Sequence, residues 1–346
     1  RDFAEAVYAK SNTKITKYGE GLHFLPYHPA VFHQEASRQL QQAGVHFLLG
    51  GFVTGVQIED RKITELRIQT QHQILTAYPS AVVDCSGTAQ ISMLAGIDRI
   101  TEAHYQAGAF VFQISGLPEM EPTVLALNFI RWLKRGVESS DLTVDCERLS
   151  IIPGSLVDGM AYLKLGLPEP FNGATDTITQ YELEARERCI AIVNYLHRVD
   201  PSMANVKIIA MANEVGIRTG ERLLGLSTLD EAHVMACAKP DDGVAIGAWP
   251  IEHWGAERKP EMRYFAMDEC YWVTASMLVS KCLDNLFSAG RGFSATEMAI
   301  ASARVMGTCL GTGYAAGSLA AELCNTGIWQ NAIDKIRRQQ ILAGTD

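Results

Sequence analysis

The stretch DNLFSAGRGFSATEMAIASARVMGTCLGTGYAAG, residues 284–317, constrains the fold more than any other part of this chain. A β-rich run reaches Ala289, breaks at Gly290, and passes through a polar loop into a helix from about Thr308 to Leu323 crowded with small residues. Glycine at a strand end lets a flat ligand or a pyrophosphate approach the backbone with no Cβ in the way. The first amides of the helix, near Gly307, Thr308 and Cys309, lack intrahelical acceptors, and their partial positive charge suits an anion or an electron-rich carbonyl edge. Arg291 can neutralise phosphate charge. Spacing alone leaves two readings open: a ligand cradle, or a helix packed tightly on a sheet.

A second glycine-ended strand lies upstream. Ala81 to Asp84 reads as a buried strand that runs into Asp84-Cys85-Ser86-Gly87, and open α/β sheets place ligands just past such strand ends. Before it, HPAVFHQEASRQLQQAG reads as one amphipathic helix, with Pro29 in the first turn and Gly44 as the stop. The runs Val53–Ile58 and Ile63–Thr70, joined by an EDRK turn, read as a small antiparallel insertion. From about 100 to 270 the pattern is mixed, with FVFQIS and VKIIAMA as strands and Asp176–Arg198 as a long helix. The expected division is therefore 1–100 as the first part of a cofactor-binding domain, 101–275 as an inserted substrate domain, 276–325 as the rest of the cofactor domain and 326–346 as a helical tail.

Several patterns point elsewhere and fail on context. Gly311-Thr-Gly313-Tyr-Ala-Ala316 spells GxGxxA, but no strand leads into it and no strand bearing a ribose-binding acid follows. Eight cysteines lie far apart with no CxxC, and His28 and His33 have no third ligand at metal spacing, so no metal site is expected. The formal charge of −9, with basic residues scattered, argues against nucleic acid. No apolar run reaches the ~18 residues that cross a bilayer. A cytoplasmic protein with reduced thiols is expected, and 47% hydrophobic with 20% charged residues suits a globular enzyme.

A reduced flavin suits the 284–317 stretch chemically, because its N1 and C2 carbonyl region gains negative charge when hydride arrives at N5. The order of segments also resembles the FAD-dependent oxidoreductase family of glutathione-reductase-like fold. AGRGFSAT at 289–296, RVMGTC at 304–309 and AAG at 315–317 resemble that family's AGR-x-x-SAT, RVMPTC-like and AAG segments. Asp84-Cys-Ser-Gly87-Thr88 resembles its DATGD turn, Arg218-Thr-Gly-Glu-Arg222 its RESRR segment, and Trp249-Pro-Ile-Glu252 its YPID segment. The similarity runs from about residue 20 to 325. It implies an α/β fold of the FAD/NAD(P)-binding Rossmann-like type with an inserted α+β substrate domain. It also implies FAD: Phe52 and Val53 against adenine through their backbone, Gly87 beside the ADP half, Gly290 and Arg291 along the pyrophosphate and ribityl chain, and the Thr308 and Cys309 amides at the pyrimidine edge.

The chain also departs from the family pattern. The family's opening strand, GxGxxG turn, helix and acid-ended strand are not among these residues, so a missing N-terminal segment or a second chain is expected to supply the ADP-binding unit, ahead of the alternative that this copy has lost FAD binding. Glu297-Met298 stands where the family has His-Glu, and Thr88 replaces the turn's acid. Glu297 over the flavin suits a general base that takes a hydroxyl or amine proton as hydride leaves for N5, against the plainer readings of a solvated loop residue or a helix N-terminal charge. Arg218, Arg222, His253 and Arg304 suit an anionic small-molecule substrate, against structural salt bridges. Trp249 and Trp254 either floor the pocket or belong to the core. The expected activity is hydride transfer between a small organic substrate and FAD N5; the alternative is a non-catalytic subunit that completes a larger complex.

Overall fold

Apolar spacing sorts the chain into three packed clusters, and their membership sets where the site lies. A computed structural model of the protein describes residues 2–11, 13–19, 21–168, 171–257 and 259–344. Helix α1 (Asp2–Ser11), the hairpin β1 (Thr16–Gly19) and β2 (Leu22–Phe24), and helix α2 (Pro29–Gln42) come first. α2 starts where expected, with Pro29 in the first turn and the His28 ring accepting from the Ala30 amide at 3.2 Å. Strands β3 (Phe52–Glu59), β4 (Lys62–Gln69) and β5 (Ile74–Ala77) form the small antiparallel sheet, with β4 central. Its EDRK turn holds Asp60 and Arg61 at φ 44° and 62°, the left-handed pair that a tight hairpin connection uses. Strand β6 (Val82–Asp84), helix α3 (Gln90–Leu94) and strand β7 (Arg99–Ile100) follow.

The second unit contains β8 (Ala109–Ser115), α4 (Pro122–Glu138), β9 (Leu149–Ile151), β10 (Ala161–Gly166), α5 (Thr175–Val199) and β11 (Lys207–Met211). Its antiparallel sheet has the order β11-β8-β10-β9. Leu125, Phe129 and Leu133 on α4, and Ala185, Cys189, Ile192 and Leu196 on α5, recur at helical spacing. They pack against Phe110, Phe112 and Ile114 of β8 and Leu163 and Leu165 of β10. Alternation along a strand sends Lys164 to the opposite face of this sheet, away from the two helices. This apolar cluster runs from Tyr105 to Val215.

The remainder comprises β12 (Arg222–Leu223), α6 (Glu231–Met235), β13 (Gly243–Gly247), β14 (Ile251–His253), β15 (Glu261–Arg263), β16 (Tyr271–Thr274), α7 (Ala275–Leu278), β17 (Leu286–Ser288), α8 (Glu297–Ala303), α9 (Met306–Thr326) and α10 (Ile333–Gly344). Leu229, Val244, Tyr271 and Leu278 pack with Ile300, Ala315, Ala316 and Leu319 of the C-terminal helices. α8 occupies what the sequence suggested was loop: the Thr296 hydroxyl caps it by accepting from the Ala299 amide at 3.3 Å, and the alanines at 299, 301 and 303 favour helix. α9 begins two residues earlier than expected and ends at Gly327, whose φ of 78° suits a C-terminal stop. Among the described residues no helix is long and apolar enough to cross a membrane.

Candidate active site

β6 and β17 run side by side in parallel, pairing Val82 with Leu286 and Asp84 with Ser288, so their glycine turns emerge together. The buried Asp84 carboxylate fixes the first turn by accepting from the amides of Ser86 at 2.8 Å and Ile91 at 2.9 Å. The Ser288 hydroxyl donates to the Asp84 carbonyl at 3.0 Å and locks the two strand ends together. Gly87 has φ +78°, and a Cβ there would stand 2.7 Å from Arg291 Nη2. Arg291 thus lies directly over the first turn, and its Nη1 donates to the Ile217 carbonyl. The second turn is tied to α9 through the Gly290 amide, which donates to Thr312 Oγ1 at 3.1 Å.

α9 aims its N-terminus at these turns. Its cap residue, Val305, supplies no side-chain hydrogen bond, so the first-turn amides of Met306, Gly307 and Thr308 have no intrahelical acceptor. A Cβ on Gly307 would meet nothing within 4 Å. Cys309 differs from the expectation: its amide donates to the Val305 carbonyl at 2.9 Å, so the helix itself consumes that donor. Its thiol contacts the Arg304 carbonyl at 3.3 Å, and burial pushes its pKa up to about 11. Val53 lies on the edge strand β3, with its carbonyl taken by Gln90 Nε2 at 3.1 Å.

The expected catalytic set divides into two groups. Arg222 is fully buried and donates to the carbonyls of Ala295 at 2.7 Å and Gly220 at 2.9 Å, to Glu297 Oε2 at 2.8 Å and to Glu102 Oε1 at 2.7 Å. No face of it is left for a substrate. The other oxygen of Glu297 accepts from Thr219 Oγ1 at 2.8 Å and the Gln106 amide at 3.2 Å. Both carboxylate oxygens are therefore committed, and the geometry makes Glu297 a bracket between α8 and the segments at 106 and 219–222 instead of a free proton acceptor.

The second group surrounds Glu252. Its two oxygens accept from the indole nitrogens of Trp249 and Trp254, each at 2.9 Å. Arg218 Cζ lies 4.5 Å and Lys164 Nζ 4.8 Å from the centre of the Trp254 ring. Arg304 Nη2 donates to the Glu252 carbonyl at 3.0 Å. Burial and the neighbouring Arg304 lower the Arg218 pKa to about 10, and Glu252 partly offsets them. Burial, with Arg218 beside it, also lowers that of Lys164. Alternation along β14 points His253 away from the Glu252 and Trp254 side chains, so the histidine does not join this cluster. Lys164 and Gln106 escaped the sequence reading; the available signal was a lysine inside the otherwise apolar strand AYLKLG.

Two glycine-ended parallel strands beside an uncapped helix N-terminus are the arrangement that a Rossmann-like α/β protein offers a dinucleotide cofactor. The chain belongs to the FAD dependent oxidoreductase family, which it matches over residues 1–342, and FAD is the cofactor. No curated protein sequence matches it. Among solved structures it is similar to a geranylgeranyl bacteriochlorophyll reductase-like protein from Thermoplasma acidophilum, at 11% identity and TM-score 0.45 over 94% of this chain and 62% of that one. It is also similar to the flavin-dependent halogenase CmlS, at 11% identity and TM-score 0.45 over 93% of this chain and 45% of that one. A third is L-proline dehydrogenase from P. horikoshii, at 14% identity and TM-score 0.35 over 86% of this chain and 55% of that one. The chain thus spans between 45% and 62% of the length of these structures, and likenesses this distant bear on no finer point.

Proposed function

We propose that this protein transfers hydride between a small organic substrate and FAD. The observation that carries the reading is the meeting of two glycine-ended strand turns, at Gly87 beneath Arg291 and at Gly290, with the uncapped helix end whose Gly307 faces open space. The residues suit the cofactor: Gly87, Gly290 and Arg291 would hold its phosphate-bearing part, and the first turn of α9 would receive its electron-rich ring edge. FAD, when bound, supplies a two-electron acceptor at N5. The chain's own contribution is electrostatic, since the preorganised amides of Gly307 and Thr308 and the helix dipole stabilise charge that develops at that edge. Glu297 and Arg222 act by holding the segments at 106 and 219–222 against α8, which keeps the approach to the ring in shape.

The test is anaerobic reduction of the purified flavoprotein by panels of small alcohols, amines and hydroxy acids, followed by loss of the visible flavin bands. An active substrate should bleach the flavin more slowly when its reacting C–H carries deuterium. Bleaching with no isotope effect in single turnover, or no bleaching by any donor class, contradicts hydride transfer.

A further inference from the structure

The cluster around Trp254 carries more positive charge than its fold explains. Lys164 comes from β10, Arg218 from the loop before β12 and Arg304 from the end of α8. The carboxylate that faces them all is Glu252, whose oxygens already serve two indoles. Glu297, which also acts on Arg304, is taken up by Arg222, and Arg291 adds a further positive charge nearby. Three buried donors here, Gln106 Nε2, Arg218 Nη2 and Arg304 Nε, have no hydrogen-bond partner among the described residues. Gln106 is only 1% exposed, and its Oε1 is held by the Trp254 amide at 3.3 Å, which fixes the rotamer of the unpaired amide nitrogen. A buried donor left unpaired costs roughly 1–3 kcal/mol, and like charges in contact add to that cost.

We propose that Lys164, Arg218 and Arg304, with Gln106, form a carboxylate-binding subsite against the Trp254 ring that takes the anionic end of the substrate. A carboxylate supplies acceptors for the unpaired donors, and its planar pair of oxygens matches a guanidinium fork better than a spherical halide does. Trp254 steadies both cations from one ring, each within cation–π range. Arg304 directly precedes Val305, the cap of α9, so the subsite adjoins the helix end assigned to the flavin ring. Assignment of the bound anion as substrate rests on the flavoenzyme reading; the binding site itself does not.

Calorimetric titration of the whole oxidised protein with acetate and malonate tests this without turnover. The expected result is saturable binding, weakened about tenfold or more by Arg218→Met and by Lys164→Met, less by Arg218→Lys, and unchanged by Arg61→Met at the exposed Arg61–Asp284 pair. Circular dichroism establishes that each variant is folded. Absence of saturable binding, equal affinity in the Arg218 and Lys164 variants, or chloride, sulfate and phosphate binding as tightly as the carboxylates each overturns the proposal. Carboxylate binding in a protein that no donor bleaches leaves the subsite standing and removes only its assignment to a flavin substrate.

Discussion

Arg222→Leu should destabilise the protein by about 3–5 kcal/mol, because it removes one member of a buried charged network and leaves the others without compensation. Four acceptors lose their donor at once: the carbonyls of Gly220 and Ala295, Glu102 and Glu297. Leucine fills much of the volume but satisfies none of them, and the Glu297 side chain is only 15% exposed, so water replaces the lost donor poorly. Thermal or urea denaturation reads the effect. Glu297→Leu in the same background should recover part of the loss, since the stranded carboxylate goes with it, and the double variant should be less destabilised than the two single losses added together. A loss below about 1 kcal/mol, the range of an exposed ion pair, would mean that Arg222 is not the hub described.

Gly307→Leu should do the reverse, leaving the fold intact while emptying the cofactor site. A Cβ at this position meets no protein atom within 4 Å, and replacing glycine within a helix gains up to about 1 kcal/mol of intrinsic propensity. The melting temperature should therefore hold or rise. The leucine side chain projects from the first turn of α9, where the ring edge is assigned, so the affinity for FAD should fall by about tenfold or more, a loss of about 1.4 kcal/mol or greater, and the protein should lose flavin on dilution and gel filtration. Gly317→Leu, on the same helix at another position with open space, is the control and should keep its flavin. Equal flavin content in Gly307→Leu and the parent would place the cofactor elsewhere.

What the sequence made legible was local. Pro29 and the four-residue apolar step located α2, the EDRK turn located the β3–β4 hairpin, and Thr175–Val199 closely follows the helix expected at Asp176–Arg198. The glycine ends at Gly87 and Gly290 were readable because a strand stop at glycine has a backbone reason visible in one dimension. The roles of charged side chains were not readable. Whether Arg222 meets substrate or carbonyls depends on loops at 220 and 295 coming together, and no spacing rule reaches across 73 residues. The cation cluster was legible in part: Arg218 and Arg304 were expected at an anionic substrate, while Lys164 on β10 and Gln106 come from distant segments that no spacing joins to them. α8 was missed because a strong cap at Thr296 followed a stretch that otherwise read as polar loop, and Cys309 lost its expected role once the helix began at Met306.

The turns of β6 and β17 and the first turn of α9 are assigned to FAD. The most direct measurement is the visible absorption spectrum of the protein purified from riboflavin-replete cells with any chains that accompany it, followed by release of the chromophore and its identification by mass. The predicted result is the two-banded spectrum of an oxidised flavin and a released chromophore with the mass of FAD. A colourless preparation, or a chromophore other than FAD, would contradict it.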